Sequence, residues 1–206
     1  MEENKKSIFK NKLTFIILGI FILVVLILGI YILNFNSKEN SMKKPIKVLM
    51  KTTLGDITIE LYPDKAPITV ENFLRYVDSG AYSGTVFHRV IKNFMIQGGG
   101  FNSEGVQLKT FSPIKLESKN GLKNTEGTIA MARTMIEDSA TNQFFINTKD
   151  NPFLDYGVRD AGYAVFGKVI SGMDVVKKIE ESKTTIKHGM QDWPVEEVVI
   201  ISVERI

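Results

Sequence analysis

The chain contains no cysteine among its 206 residues. Without thiols it can form no disulfide bond, no thiolate nucleophile and no lipid-modified N-terminal cysteine. This composition suits an exported domain, but it does not establish export, because many cytosolic domains also lack cysteine.

Ligands and motifs of common catalytic sites are scarce as well. Two histidines and no cysteine are too few for a usual zinc site. The glycines at 98–100 are not followed by Lys-Ser or Lys-Thr and do not fit GxGxxG, so a bend or bulge is a better interpretation than a phosphate loop. No GxSxG motif of a serine hydrolase occurs. The sequence therefore predicts neither a metal nor a cofactor.

Residues 45–206 have almost no excess of charge of either sign. The formal net charge is +3, but residues 1–44 contain seven Lys and three acidic residues, a net +4, which leaves −1 for residues 45–206. An almost neutral domain lacks the basic surface that binds nucleic acid. The basic residues near the N-terminus suit anionic lipid headgroups instead.

One long segment lacks charge altogether. Residues 13–33 are uncharged and mostly aliphatic. As a helix they would rise about 31 Å, enough to cross a hydrocarbon core of about 30 Å. A soluble helix would show a polar stripe, and a cleaved signal peptide would have a shorter apolar core before a small-residue cleavage site. An uncleaved transmembrane signal-anchor is therefore favoured over these two alternatives.

The flanks of this segment predict the topology of the chain. Residues 1–12 form a basic tail with four Lys, and residues 34–45 form a polar linker with three. The excess of Lys on the N-terminal side predicts a cytoplasmic tail. Residues 46–206, a usual size for one domain, are then expected outside the cytoplasm in a single-pass protein of the cell membrane.

The domain of residues 46–206 is predicted to be mainly β. Leu54-Gly55-Asp56 is typical of a hairpin turn. Two amphipathic helices are predicted, residues 69–79 with Thr69 as N-cap and Gly80 as terminator, and residues 173–181. Many short strands with few helices favour a closed antiparallel barrel. The eight predicted strands are residues 48–53, 57–61, 86–91, 94–97, 127–131, 143–147, 164–170 and 198–206.

The candidate site begins with Arg89, a permanent cation inside an apolar, β-prone run. On strand alternation, Met95 and Gln97 share one face, and so do Gln143 and Phe145. An amide beside an apolar side chain is unusual for a core face and suits the wall of a pocket.

Periodicity alone does not separate a pocket from a core. On periodicity alone, plain core packing is favoured for Phe94, Phe145 and Leu154, and a structural histidine is as good an interpretation of His88 as a pocket residue. His188, next to a glycine, is expected to be a solvated loop residue.

Three motifs in this order resemble the cyclophilin family. They are FHRVIKNFMIQGG at 87–99, AMAR with SATNQFFINTKDNPFLD between 130 and 155, and GYAVFGKVISGMDVV at 162–176. The similarity covers residues 47–206 and is greatest with bacterial members. It implies a closed eight-stranded antiparallel β-barrel capped by two α-helices, here preceded by one transmembrane helix. It also implies peptidyl-prolyl cis-trans isomerase activity, which needs no cofactor.

The resemblance also implies roles for individual residues. Arg89 is the implied catalytic residue, which donates a hydrogen bond to the nitrogen of the twisted amide. The implied substrate-binding residues are His88, Phe94, Met95, Gln97, Ala132, Arg133, Gln143, Phe145, Phe153, Leu154 and Tyr163. Arg133 stands where many members have Asn, and Phe153 where many have Trp. The first position acts mainly through its backbone, so activity is expected to survive, whereas the second puts cyclosporin binding in doubt.

The expected function is an isomerase that assists the folding of exported or membrane-proximal proteins. Its expected partners are proline-containing, unfolded polypeptides and, through residues 13–33, a lipid bilayer, and the protein is expected to be a monomer. The alternative is a membrane-tethered proline-peptide binding module with incidental isomerase activity. The presence of both Arg89 and Gln97 favours the enzyme, because a simple binder does not need the cation.

Overall fold

The structure is a computed structural model that describes residue 23, residues 26–31 and residues 45–206. The chain divides into two units, Met1–Met42 and Lys43–Ile206. Residues 23 and 26–31 are helical. Among the residues that the structure describes, no helix has the length and apolar character needed to span a bilayer. The predicted tail and most of the predicted anchor and linker fall outside the described residues.

Ten strands form in residues 45–206, and eight of them close into an antiparallel barrel. The strands are β1 (Ile46–Thr52), β2 (Gly55–Leu61), β3 (Thr85–Ile91), β4 (Met95–Asn102), β5 (Thr128–Met131), β6 (Phe144–Asn147), β7 (Val165–Ser171), β8 (Thr184–Lys187), β9 (Met190–Pro194) and β10 (Val199–Arg205). Around the barrel the order is β1-β10-β3-β4-β6-β5-β7-β2, with hydrogen bonds between neighbours. The predicted eight-stranded barrel is confirmed.

On β1 and β2 the residues that face the barrel interior alternate with partly exposed ones. On β2, Ile57, Ile59 and Leu61 are buried, and the residues between them are partly exposed. β1 pairs with β2 through a tight turn in which Thr52 faces Gly55. The predicted hairpin at residues 54–56 is therefore confirmed.

Two α-helices pack on the same interior cluster, α1 (Pro67–Asp78) and α2 (Met173–Glu180). α1 contributes Val70, Phe73 and Val77, and α2 contributes Val176 and Ile179. Each helix thus buries one stripe of apolar residues, as its sequence period predicts.

The start of α1 differs from the prediction. The helix begins at Pro67 with Ala66 as N-cap, because proline has a suitable φ for the first turn and needs no donor there. Thr69 lies inside the helix, so its prediction as N-cap is wrong. Its backbone N–H and its hydroxyl donate to the Glu117 carboxylate at 2.8 and 2.7 Å. Gly80 follows the helix at φ +67°, as predicted for a terminator.

A second, two-stranded sheet of β8 and β9 was not predicted. Its strands are polar and partly exposed, so they lack the apolar alternation that predicts a strand. Its Trp193 is fully buried, with the ring 6.3 Å from that of Phe101 and 6.0 Å from that of His88. This hairpin therefore packs against β3.

Candidate active site

Four neighbouring strands align a row of side chains on the outer face of the barrel. Arg89 pairs with Gln97, Gln97 with Phe145, and Phe145 with Ala130. Directly paired residues of antiparallel strands project to the same face. Their sequence neighbours Val90, Ile96, Phe144 and Ile129 belong to the interior cluster, so the row lies outside it.

An irregularity in β3 places Arg89 in this row. Phe87 pairs with Gly98 and Arg89 with Gln97, so two steps on β3 match one step on β4 and His88 is the extra residue. Phe87 and Val90 both lie in the interior cluster. In a regular strand Phe87 and Arg89 would share a face. The bulge at His88 therefore turns Arg89 outward.

The row borders a pocket with an apolar floor. Met95, Phe145 and Leu154 belong to a small cluster that is separate from the barrel interior. The pocket has a volume of about 280 Å³, near the lower end of the roughly 300–1,000 Å³ usual for ligand sites. It therefore suits one small apolar side chain rather than a whole peptide. Nine residues line it, and all were predicted: Arg89, Phe94, Met95, Gln97, Ala132, Arg133, Phe145, Leu154 and Tyr163.

The Arg89 side chain lies at the pocket edge and is 42% exposed. Its Nη1 donates to Gln97 Oε1 over 3.4 Å, a long hydrogen bond, and the Gln97 amide donates to Gln143 Oε1 at 2.8 Å. On the other side, its Nε lies 3.8 Å from Asp192 Oδ2. The guanidinium thus keeps donors free to face the pocket.

Two polar depressions adjoin the pocket and share lining residues with it. The first shares Gln97, Ala132 and Arg133 with the pocket and is extended by Gln107, Thr110, Thr134, Ser139, Thr141 and Gln143. The second shares Arg89 and Gln97 and is extended by His88, Phe101, Gln143, Met190, Gln191 and Asp192. All three share Gln97, so they form one continuous groove with an apolar part and two polar parts.

Three predicted residues lie beside the pocket rather than in its lining. Gln143 lines both flanking depressions. Phe153 is partly exposed and stacks on Phe94 with ring centroids 5.6 Å apart. His88 is only 4% exposed, and burial lowers its pKa to about 4, so the ring is neutral at pH 7. His188, the other histidine, is an exposed turn residue with its ring against Trp193, as predicted.

The side chain of Arg133 has a role that the sequence did not indicate. It is 4% exposed and donates to the Gly162 carbonyl at 2.8 Å and to Asp160 Oδ1 at 2.9 Å. Its guanidinium also lies 4.8 Å from the centre of the Tyr163 ring. The Gly162 N–H and the Arg133 charge lower the pKa of Asp160. Arg133 therefore fixes the segment that supplies Tyr163 to the pocket.

Asn151 supports the opposite wall and was also missed. Its buried side-chain amide donates to the Phe94 carbonyl and to Asn147 Oδ1, both at 2.8 Å. This ties the turn before Phe153 and Leu154 to the start of β4. A lone Asn in a loop carries no signal of such a role, because its partners lie in distant parts of the chain.

Comparison with known proteins agrees with this geometry. The family profile described as "Cyclophilin type peptidyl-prolyl cis-trans isomerase/CLD" matches residues 47–205. A peptidyl-prolyl cis-trans isomerase of Acinetobacter baylyi is 54% identical over 88% of this chain and 94% of its own. Peptidyl-prolyl cis-trans isomerase B of Escherichia coli is 53% identical over 76% of this chain and 97% of its own.

Solved structures show the same fold. A cyclophilin-type isomerase of Cryptosporidium parvum, with 27% sequence identity, has a TM-score of 0.66 over 79% of this chain and 98% of its own. A second structure of that protein, determined in the presence of the dipeptide Ala-Pro, has a TM-score of 0.64, with 28% identity over 77% of this chain and 97% of its own. The chain therefore belongs to the cyclophilin-type peptidyl-prolyl cis-trans isomerase family.

Proposed function

We propose that this isomerase binds the proline ring of its substrate in the apolar pocket and uses Arg89 to stabilise the twisted Xaa-Pro bond. The observation that carries the proposal is a cation with free donors at the edge of a proline-sized apolar pocket. Rotation about this bond makes and breaks no covalent bond, so the pocket needs no nucleophile.

The barrier to rotation comes from amide resonance and is about 18–20 kcal/mol. Uncatalysed exchange takes tens to hundreds of seconds. A turnover of about 10 per second then requires a lowering of the barrier by roughly 3–4 kcal/mol. One charged donor in a partly desolvated pocket has an effect of this size.

The donor acts on the twisted state alone. When the bond is rotated by about 90°, conjugation is lost and the proline nitrogen regains a lone pair that can accept a hydrogen bond. Both planar forms lack this acceptor. Arg89 therefore binds the transition state more tightly than either ground state, which is the condition for catalysis.

The two polar depressions are proposed to hold the chain on either side of the proline. Ala132 donates its N–H to the Gln143 carbonyl at 2.9 Å, so its own carbonyl is the group available to a peptide N–H. The Gln143 side chain lies between both depressions and can reach the residue before the proline. His88 is buried and neutral, so its proposed role is to pack beside Arg89 and not to transfer a proton.

Substitution of Arg89 tests this mechanism. Arg89→Ala is expected to lower turnover by about 10²–10³-fold, the usual range for loss of a transition-state donor. Peptide affinity should fall far less. Arg89→Lys should restore only part of the rate, because lysine lacks the planar guanidinium with its several fixed N–H donors. Exchange NMR on a proline peptide measures rate and affinity in one sample. Arg75→Ala, which removes a cation from α1, is the control and should change neither.

The same experiment separates the enzyme from the binding module. A module that uses Arg89 for ground-state binding would lose affinity in Arg89→Ala and keep its turnover of bound peptide. That result would reject the assignment of Arg89 as the catalytic donor.

We further propose that the enzyme acts on unfolded, proline-containing polypeptides outside the cytoplasm, as a monomer anchored in the cell membrane by residues 13–33. The support is the uncharged 21-residue segment between basic flanks. The match to the Acinetobacter baylyi relative covers 88% of the chain, more than residues 46–206 alone could supply, so the similarity extends into the preceding segment.

Protease accessibility tests this location. Protease added to intact cells or spheroplasts is expected to degrade the isomerase domain while a cytoplasmic marker protein survives. Digestion that occurs only after membrane lysis would reverse the proposed orientation. Release of the whole chain by high salt without detergent would rule out the anchor.

A further inference from the structure

We infer that Asp192 is a positioning residue that sets the orientation of the Arg89 guanidinium. Arg89 has two side-chain partners at different ends of its planar group. Gln97 on β4 accepts a hydrogen bond from Nη1 at 3.4 Å. The carboxylate of Asp192 on β9 lies 3.8 Å from Nε. The inference rests on the proposed catalytic role of Arg89.

The position of Asp192 is fixed by its neighbours rather than by its own side chain. Trp193 follows it directly and is fully buried against Phe101 and His88. At the turn of the hairpin, the His188 ring lies 3.2 Å from the Ser103 carbonyl oxygen and fills the space that a Cβ at Gly105 would need. The hairpin is thus docked at both ends, with Asp192 between the two contacts.

The backbone of Asp192 is itself adapted to this placement. Its φ is +62°, in the left-handed region that most side chains avoid and that Asp and Asn tolerate best. The left-handed residue interrupts the alternation of β9 next to the buried indole. This brings the carboxylate to the depression that Arg89 also lines.

Two contacts at different ends of a guanidinium, together with its covalent bond to Cδ, fix the plane of the group, whereas one contact does not. The single bond to Gln97 is long and leaves the group free to rotate about the Nη1 contact. A carboxylate on the Nε side restricts this rotation and leaves Nη2 and one Nη1 hydrogen for the twisted amide. Asp192 borders the depression proposed to hold the substrate chain, but its carboxylate is turned toward Arg89 Nε, so its main effect is on turnover rather than on affinity.

Asp192→Asn is the test, because Asn has the same shape, tolerates the same φ and lacks the charge. With the purified full chain, kcat is expected to fall about fivefold, as a half-exposed ion pair is worth up to about 1 kcal/mol. KM should stay within about twofold. Asp192→Gly, which also relieves the backbone, should lower kcat to the same extent. Asp174→Asn is the control, because it removes an exposed carboxylate of α2 that, among the described residues, pairs only with Lys178, and it should leave kcat unchanged.

Two further measurements separate positioning from a structural role. In an Arg89→Lys background, Asp192→Asn should no longer change kcat, because Lys has no planar fork to orient. The kcat of the wild type should fall with added salt more steeply than that of Asp192→Asn, since salt screens the exposed pair. An unchanged or raised kcat in both Asp192 variants, or an equal loss in the Lys background, would overturn the inference.

Discussion

At the scale of single residues, His88 and Arg89 are neighbours in the chain with opposite environments. His88 is enclosed by Phe101 and Trp193, and its Nδ1 has no hydrogen-bond partner in the part of the chain described. Arg89 stays half exposed. One side chain is kept neutral by burial while the next keeps its charge at the pocket.

This burial makes stability depend on pH. The unfolded His88 takes up a proton as pH falls through about 6.5, but the folded state resists protonation until the pKa of about 4. The unfolded state therefore binds more protons between these values, and stability falls as pH is lowered through this window. The loss due to His88 is expected to be about 2 kcal/mol at pH 5 relative to pH 7.5.

Urea unfolding of wild type and His88→Gln at the two pH values measures this contribution. Each protein loses some unfolding free energy between pH 7.5 and pH 5. Because Gln does not titrate, the extra loss in the wild type is the contribution of the histidine. Equal losses in both proteins would mean that His88 is not responsible.

Sequence reasoning identified the residues of the pocket but not those that support it. Met95 and Gln97 were found because they share a strand face through alternation, and so were Gln143 and Phe145. Arg89 was found because it is a cation in an apolar run and its motif matches a family. Asp192, Asn151 and the Arg133 guanidinium act across long separations in the chain. A single sequence contains no periodic signal for such contacts, so they required the structure.

At the scale of elements, the glycines of β4 have different tasks. A Cβ at Gly99 would lie 2.8 Å from the ring of Tyr82 and 2.9 Å from that of Phe144, in a backbone with φ +82°. A Cβ at Gly100 would lie 2.6 Å from the side chain of Gln143. Gly99 is therefore needed for the packing of the aromatic interior, and Gly100 for the position of the Gln143 side chain in the groove.

Two matched substitutions separate these tasks. Gly99→Ala is expected to destabilise the fold by about 2–5 kcal/mol, because it adds left-handed strain to overpacking of a rigid aromatic core. Gly100→Ala should change stability by less than about 1 kcal/mol. It should lower kcat/KM about fivefold by displacing Gln143 from Gln97, a loss of about one hydrogen bond.

Thermal unfolding and peptide isomerisation of both variants check this contrast. The interpretation fails if Gly100→Ala loses stability as severely as Gly99→Ala, or if it retains full activity.

The elements also show where sequence patterns are sufficient. Strands with one buried face were predicted, because apolar alternation reports burial directly. The β8–β9 hairpin was missed because Trp193 and His188 anchor it rather than an apolar face. The bulge at His88 was missed because an extra residue can be recognised only against the partner strand. The start of α1 was misplaced because Thr69 was taken as a cap, whereas Pro67 occupies the first turn and the Thr69 N–H donates to Glu117 of a distant loop.

At the scale of the whole molecule, every residue proposed for catalysis lies in the unit of residues 43–206. The Escherichia coli relative is matched over 97% of its length by 76% of this chain, about the extent of the residues 47–205 that the family profile matches. We expect residues 46–206 alone to fold and to isomerise Xaa-Pro peptides at the rate of the full chain.

Circular dichroism and the peptide assay on this fragment test the expectation, with Arg89→Ala in the same fragment as the inactive control. A fragment that folds cooperatively but lacks activity would show that the preceding segment contributes to the site.

The separation of the pocket floor from the barrel interior bears on how this chain can diverge in sequence. Met95, Phe145 and Leu154 share no apolar cluster with the interior residues that hold the strands together. Substitutions in the two clusters should therefore have nearly additive effects on stability. A lineage can reshape the pocket, and with it the preferred neighbours of the proline, while the barrel keeps the stability margin that lets the altered enzyme persist.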